Sequence, residues 1–71
     1  PDSTANLQFI FNSETTLNVY TEGFYNIACY TLSGVLRKNV NLWLNKGKNY
    51  IKVSDTPLLQ PMVILVKEIS L

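Results

Sequence analysis

Histidine is absent from this 71-residue chain, and cysteine, methionine and tryptophan each occur once. Without histidine, the Ser-His-Asp and Cys-His pairs that activate a nucleophile cannot form. A single cysteine cannot make an internal disulfide bond, and without histidine it leaves too few ligands for a zinc ion. We therefore expect neither a triad-type hydrolase nor a zinc protein.

Charged residues are also scarce, at 15% of the chain against about a quarter in an average domain, and the net charge is +1. A nucleic-acid-binding domain needs a basic surface, which this balance does not indicate. The five acidic residues are scattered, so they predict neither the carboxylate pair of a glycosidase nor the oxygen cluster of a calcium site. The three isolated glycines predict no phosphate-binding loop. We expect no enzymatic activity, no metal or other cofactor, and no nucleic-acid partner.

Long apolar segments are missing as well. No run approaches the ~20 residues that span a bilayer, so we expect no membrane insertion. The opening residues 1–6 (PDSTAN) lack the basic region of a secretory signal peptide. The length allows one small domain, residues 1–71. Such a small core supplies on the order of 3–5 kcal/mol, which favours extra support from parent-protein domains or from dimerisation.

The residues that are present favour strands and turns. Eight Asn and five Ser favour turns, because their side chains hydrogen-bond the nearby backbone. Apolar residues alternate with period two, and no helical period of useful length occurs. The segments predicted as strands are residues 7–11, 15–21, 25–32, 35–40, 40–44, 50–53 and 62–69. These six or seven closely spaced strands predict an all-β fold, either a β-sandwich or a small barrel.

The alternation also predicts which side chains are buried. In residues 25–32 both faces are largely apolar, which is typical of a central strand, and Cys29 is predicted to be a small buried hydrophobe. The continuous apolar run in residues 62–69 predicts burial on both faces. Two prolines in residues 54–61 cannot donate to a β-ladder, so this segment is predicted as a crossover or an edge.

The aromatic side chains allow two interpretations. Trp43 could be a platform on which a sugar ring stacks, or a partly buried aromatic on the outer face of a sheet. We predict that Phe9, Phe11 and Phe24 lie in the core. The four tyrosines are predicted to lie in sheets with their hydroxyl groups at the surface.

A basic cluster lies near the third glycine and also has two interpretations. Lys46, Lys48 and Lys52 could form a docking patch, or they could be the solvated face of a turn and strand.

Three short motifs resemble the C-terminal sorting domains of type IX secretion cargo in Bacteroidetes. Residues 27–36 (IACYTLSGVL) resemble that family's apolar strand, Tyr and Gly-containing turn, with matches at Tyr30, Leu32 and Gly34. Gly47 with residues 50–53 (YIKV) resembles the second motif. Residues 66–69 (VKEI), near the end of the sequence, resemble the closing strand with its Lys.

The resemblance implies an Ig-like β-sandwich of about seven short antiparallel strands, at the C-terminus of a larger protein. It implies an address label that does no chemistry: secretion machinery proteins recognise the folded domain, and a cell-surface sortase removes it in many cargo proteins. The location implied is secreted or cell-surface, reached through the periplasm and outer membrane. The residues implied for turns or recognition are Gly34, Gly47, Tyr50, Lys52 and Lys67.

Recognition of such a domain is expected at exposed strand edges and at the last strand, because edges offer unpaired N–H and C=O groups. The same property favours a homodimer or a strand swap. The alternative function is an Ig-like interaction domain, or a carbohydrate-binding accessory domain of a surface protein, with its ligand centred on Trp43.

Overall fold

The computed structural model describes residues 5–69, which form six β-strands and no helix. Among these residues there is therefore no helix that could cross a membrane. The strands are β1 (Ala5–Ile10), β2 (Glu14–Val19), β3 (Gly23–Thr31), β4 (Leu36–Leu44), β5 (Gly47–Lys52) and β6 (Met62–Glu68). The expectation of an all-β protein is confirmed.

The strands form two antiparallel sheets. A four-stranded sheet has the order β1-β6-β3-β4, and a two-stranded sheet pairs β2 with β5. The shortest extent of the molecule, 16 Å, is what two sheets packed about 10 Å apart require. Only β3 and β4 are neighbours both in sequence and in a sheet, joined by the turn at Gly34.

The core lies between the two sheets and follows the period-two alternation of the sequence. Leu17 and Val19 of β2 and Ile51 of β5 are buried and form the side of the core that belongs to the two-stranded sheet. The four-stranded sheet contributes the other side, and its fully buried residue is Ile64 of β6. The core cluster also contains Ile10, Tyr25, Ile27, Cys29, Leu44, Val53 and Val66. The predicted burial of Cys29 is confirmed.

The strand count differs from the predicted number of about seven. Residues 35–40 and 40–44 were separate segments in the prediction, but the chain runs through them as one strand, β4. No glycine or proline interrupts residues 35–44, so nothing breaks the extended backbone. An irregularity between Cys29 and Tyr30 shifts the β3–β4 register by one residue, which lets the long strand twist without ending.

The three phenylalanines predicted in the core are exposed. Phe9, Phe11 and Phe24 are 58%, 68% and 45% accessible. Phe9 and Phe24 lie on the outer face of the four-stranded sheet, and Phe11 follows the end of β1. In residues 5–69 no further layer packs on that face. Apolar side chains that point to it, such as Phe9 and Phe24, therefore stay exposed.

Tyr25 is the most buried of the four tyrosines. The residue is 6% exposed, and its hydroxyl donates a hydrogen bond to the backbone oxygen of the exposed Thr21 at 2.7 Å. This bond gives the phenol hydroxyl a partner at the rim of the core. Tyr20 lies outside the strands at a bend and is 93% exposed.

The proline-containing segment, residues 54–61, contains no strand and carries the chain from β5 to β6. It is a crossover between the two sheets, which was one of the two predictions for this segment; the other was an edge strand. β6 enters the middle of the four-stranded sheet and pairs with β1 on one side and with β3 on the other. The last strand is therefore not an edge, and its backbone groups are already used.

Candidate recognition surface

Three of the five sequence-predicted residues lie together on β5. Gly47 begins the strand, and Tyr50 and Lys52 follow on its solvent-facing side, where Tyr50 is 80% exposed. Gly34 and Lys67 lie elsewhere, in the four-stranded sheet. Gly34 is in the β3–β4 turn, and Lys67 is on β6, opposite Ala5 and Asn26. The five residues therefore do not form one site.

The β3–β4 turn needs a glycine at position 34. Gly34 has φ +93°, a left-handed backbone conformation that residues with a Cβ adopt only with strain. Its N–H donates to the Thr31 backbone oxygen at 2.9 Å, and the Thr31 N–H donates to Val35 O at 2.9 Å. This pattern is a β-turn followed by a left-handed glycine, a common three-residue hairpin connection.

The corner that joins β4 to β5 is held by an asparagine side chain. The Asn49 Oδ1 accepts the Asn45 N–H at 3.1 Å, and its Nδ2 donates to the backbone oxygens of Asn45 at 2.8 Å and Gly47 at 3.1 Å. Gly47 has φ +101°, which lets the chain leave one sheet and enter the other within two residues. The corner sets where β5 starts, and so which of its side chains face out.

One edge of β5 is free. The Val53 N–H donates to Ser13 O at 2.7 Å, on the side of β2. Because backbone groups alternate sides along an antiparallel strand, the N–H and C=O groups of Lys48, Tyr50 and Lys52 point to the opposite side. No strand of residues 5–69 pairs with that side.

The free edge of β5 faces a groove above the inner face of β4. Val40 on that face is only half-buried, and Leu42 is 37% exposed. The groove has a volume of about 140 Å³ and is lined by Ile27, Cys29, Lys38, Val40, Leu42, Ile51, Lys52 and Val53. It adjoins a cavity of about 590 Å³ beneath residues 54–62, with which it shares three lining residues.

The opposite side of the sandwich is closed by a side chain. The Gln8 Nε2 of β1 donates to Thr15 Oγ1 of β2 at 2.9 Å. This hydrogen bond holds the two-stranded sheet above β1. The part of the larger sheet that it leaves uncovered is β4 around Val40 and Leu42.

Basic side chains concentrate around this opening. Of the six Lys and Arg residues in the sequence, five lie on β4, on β5 or at the corner between them: Arg37, Lys38, Lys46, Lys48 and Lys52. Two carboxylates lie close by, Glu14 opposite Lys52 and Asp55 at 3.5 Å from the Lys52 Nζ. Lys52 and Asp55 are both largely exposed, so their ion pair contributes little.

Sequence reasoning did not identify this groove. The net charge of +1 hides the segregation of charge, although five of the six Lys and Arg residues fall within residues 37–52 of the sequence. What the sequence does not show is that part of β4 is left uncovered next to β5. One signal was present: Lys48 and Lys52 have even spacing, which places them on one face of a strand, and Lys46 precedes that strand at the corner. That cluster was interpreted either as a docking patch or as a solvated face, and both descriptions fit exposed side chains.

The groove contains the single cysteine of the sequence. Cys29, at the floor of the groove, is 3% exposed, and burial raises the pKa of its thiol while the nearby Lys38 charge opposes that rise. A thiol with a raised pKa is a poor nucleophile at neutral pH. Within the described residues, no three His, Cys, Asp or Glu side chains come together as metal ligands.

The outer face of the four-stranded sheet carries a second group of exposed side chains. The rings of Phe24 and Trp43 meet edge to face, with centroids 5.1 Å apart and an interplanar angle of 84°. Beside them the Asn26 Nδ2 donates to Asn41 Oδ1 at 2.9 Å and also to Asn39 Oδ1. Trp43 is 50% exposed, as expected for an aromatic on an outer sheet face.

Comparison of this chain with protein-family models, with curated proteins and with solved structures gives no match.

Proposed function

We propose that this chain is the C-terminal sorting domain of a cargo protein of the type IX secretion system of Bacteroidetes. In this proposal the two sheets form an Ig-like sandwich attached to a larger parent protein. The outer-membrane translocon and its shuttle components bind the folded domain, which a cell-surface sortase removes in many cargo proteins of this kind. The parent protein reaches the cell surface or the medium through the periplasm.

The observation that carries the proposal is the position of Gly47, Tyr50 and Lys52 on a strand with a free edge. A sorting signal has to present its motif to a partner. Side chains kept only for the core would be buried, whereas Tyr50 is 80% exposed and the Lys52 side chain is 58% exposed. Exposed polar and aromatic side chains on a rigid strand are suited to protein recognition.

The test is the location of a passenger protein. Residues 1–71 are fused to the C-terminus of a periplasmic reporter in a host with type IX secretion, and reporter at the surface and in the medium is measured. We expect export of the unaltered fusion and periplasmic retention of the Tyr50→Ala, Lys52→Ala double variant. Tyr20→Ala is the matched control, because it removes an equally exposed tyrosine from a bend, and it should be exported normally.

Point variants are better suited to this test than truncation. Removing residues 66–71 deletes Val66, which is 3% exposed, together with the end of a strand that pairs on both sides. Such a truncation would unfold the domain and so would not distinguish recognition from folding. A folded fusion that stays in the periplasm without any substitution would contradict the proposal.

A second candidate function is carbohydrate binding by the outer face of the four-stranded sheet. It is favoured by Trp43 and Phe24 lying beside Asn39 and Asn41, because sugars bind by stacking on aromatic rings and by hydrogen bonds to amides. Titration with oligosaccharides should then change the Trp43 fluorescence. Asn41→Ala should weaken that change, and Tyr20→Ala should leave it intact.

A further inference from the structure

The two-stranded sheet is one strand too narrow for the sheet it covers. It lies over β1, β6 and β3, while two inner side chains of β4 remain partly open to solvent: Val40 is half-buried and Leu42 is 37% exposed, whereas Leu44 at the end of the strand is buried. Next to this apolar strip runs the free edge of β5. The combination of an unpaired strand edge and an apolar floor is the geometry that accepts an added strand.

We propose that this groove binds an extended segment of a partner protein, which adds to β5 as a third strand of the two-stranded sheet. The binding of a strand at this groove does not depend on the proposed function. Only the idea that the partner belongs to the secretion machinery rests on it. The added strand hydrogen-bonds the free N–H and C=O groups of Lys48, Tyr50 and Lys52. Its inward side chains cover Val40 and Leu42.

Charge specifies the sequence of the partner, and it does so most strongly at Lys48, which lies opposite Asn18, because Lys52 already has Asp55 at 3.5 Å and Glu14 opposite it on β2. Lys48, Tyr50 and Lys52 share the outward face of β5, and residues directly opposite each other on paired strands interact most strongly. The partner therefore carries acidic residues opposite Lys48 and Lys52, four positions apart, with a β-branched residue between them opposite Tyr50. Apolar residues alternate with these and face the groove.

A second copy of this chain is a poor occupant of the groove. If two β5 edges pair antiparallel about a two-fold axis centred on Tyr50, Lys48 of each copy lies opposite Lys52 of the other. Like charges directly opposite each other destabilise a strand pair. The arrangement therefore favours a partner of opposite charge over self-association.

The probe is the synthetic peptide Val-Glu-Val-Thr-Val-Glu-Val with capped ends and a fluorescent label. It reads the same in both directions, so it can pair with β5 in either orientation. We expect saturable binding by fluorescence anisotropy, together with slowed amide hydrogen exchange at Lys48, Tyr50 and Lys52. The control peptide Val-Lys-Val-Thr-Val-Lys-Val has the same apolar residues with the charge reversed and should bind at least about tenfold more weakly.

Two matched variants of the protein locate the site. Lys48 lies opposite Asn18, and Lys67, on the other sheet, lies opposite Asn26, so both variants reverse one exposed charge beside an asparagine. Lys48→Glu should weaken binding of the acidic peptide by about threefold to tenfold and improve binding of the basic one. Lys67→Glu should leave both affinities unchanged.

Each other outcome overturns the proposal. It fails if the acidic peptide does not bind to the folded protein, if both peptides bind equally, or if exchange is slowed somewhere other than β5. It also fails if sedimentation shows a dimer of the free protein in which amide exchange at Lys48, Tyr50 and Lys52 is already slowed without peptide. The sorting proposal is tested separately by export. If a Lys48→Glu fusion no longer binds the peptide but is exported normally, the groove still binds extended segments, and that binding is not required for sorting.

Discussion

At the scale of single residues, burial makes the Cys29 thiol less reactive and lets it pack in the core. Its side chain is 3% exposed, and its Sγ lies 3.9 Å from the Met62 Sδ. Desolvation of the thiolate raises the pKa of this thiol above 9.0, with the Lys38 charge acting in the opposite direction. The neutral thiol therefore serves as a small apolar group in the core.

The raised pKa predicts how stability changes with pH. In the unfolded chain the thiol ionises at its ordinary pKa, while in the folded protein it stays protonated to higher pH. Its contribution to the free energy of unfolding is thus fully present at neutral pH and is lost as pH rises toward the folded-state pKa. Urea denaturation between about pH 7 and pH 10 should show stability falling more steeply for the native chain than for Cys29→Ala. Parallel pH profiles for the two proteins would show that Cys29 does not titrate differently on folding.

At the scale of strands and turns, the β4–β5 corner decides which side chains of β5 face the solvent. Gly47 takes φ +101°, and the position of an added Cβ has no atom within 4 Å. A substitution there is opposed by backbone conformation and not by a steric clash. The Asn49 side chain stabilises the same corner through its three hydrogen bonds to the backbone of Asn45 and Gly47.

The two mirror-image alanines separate these effects at Gly47. L-Alanine at this position should lower the free energy of unfolding by about 1–2 kcal/mol, the cost of a left-handed conformation for an L-residue. D-Alanine, introduced by chemical synthesis of the chain, adds the same methyl group but prefers positive φ, so it should match or exceed the stability of glycine. Equal losses for both alanines in urea denaturation would mean that the methyl group itself is the obstacle.

The strands also show what the sequence could and could not reveal. The largely apolar faces of residues 25–32 predicted a buried Cys29, and its side chain is 3% exposed. The prediction that Phe9 lies in the core was wrong, because an apolar residue in a strand does not tell whether a second layer covers its face. The groove was missed for a related reason: it exists only where β5 stops short of covering β4, which depends on the order of strands in both sheets.

At the scale of the whole molecule, the topology joins parts of the chain that are far apart in sequence. Among the strands of residues 5–69, β1 pairs only with β6, β2 pairs with β5, and β6 inserts between β1 and β3. Of these pairs, only β3–β4 joins consecutive strands in a hairpin. Closing long loops costs entropy before distant strands can stabilise each other, so we expect the hairpin to form early and β1 to dock late. All-β domains of this kind fold in milliseconds to seconds.

Two conservative core substitutions test this order of events. Val40→Ala lies on β4, which pairs only with β3, and Ile10→Val lies on β1, which pairs only with β6. Each should destabilise the domain by about 0.5–1.5 kcal/mol, as removal of one or two methyl groups does. In stopped-flow experiments Val40→Ala should mainly slow folding, because its contacts exist in the transition state, whereas Ile10→Val should mainly speed unfolding. The reverse assignment would mean that β1 and β6 pair first, and that the two ends of the chain, not the local hairpin, organise the sandwich.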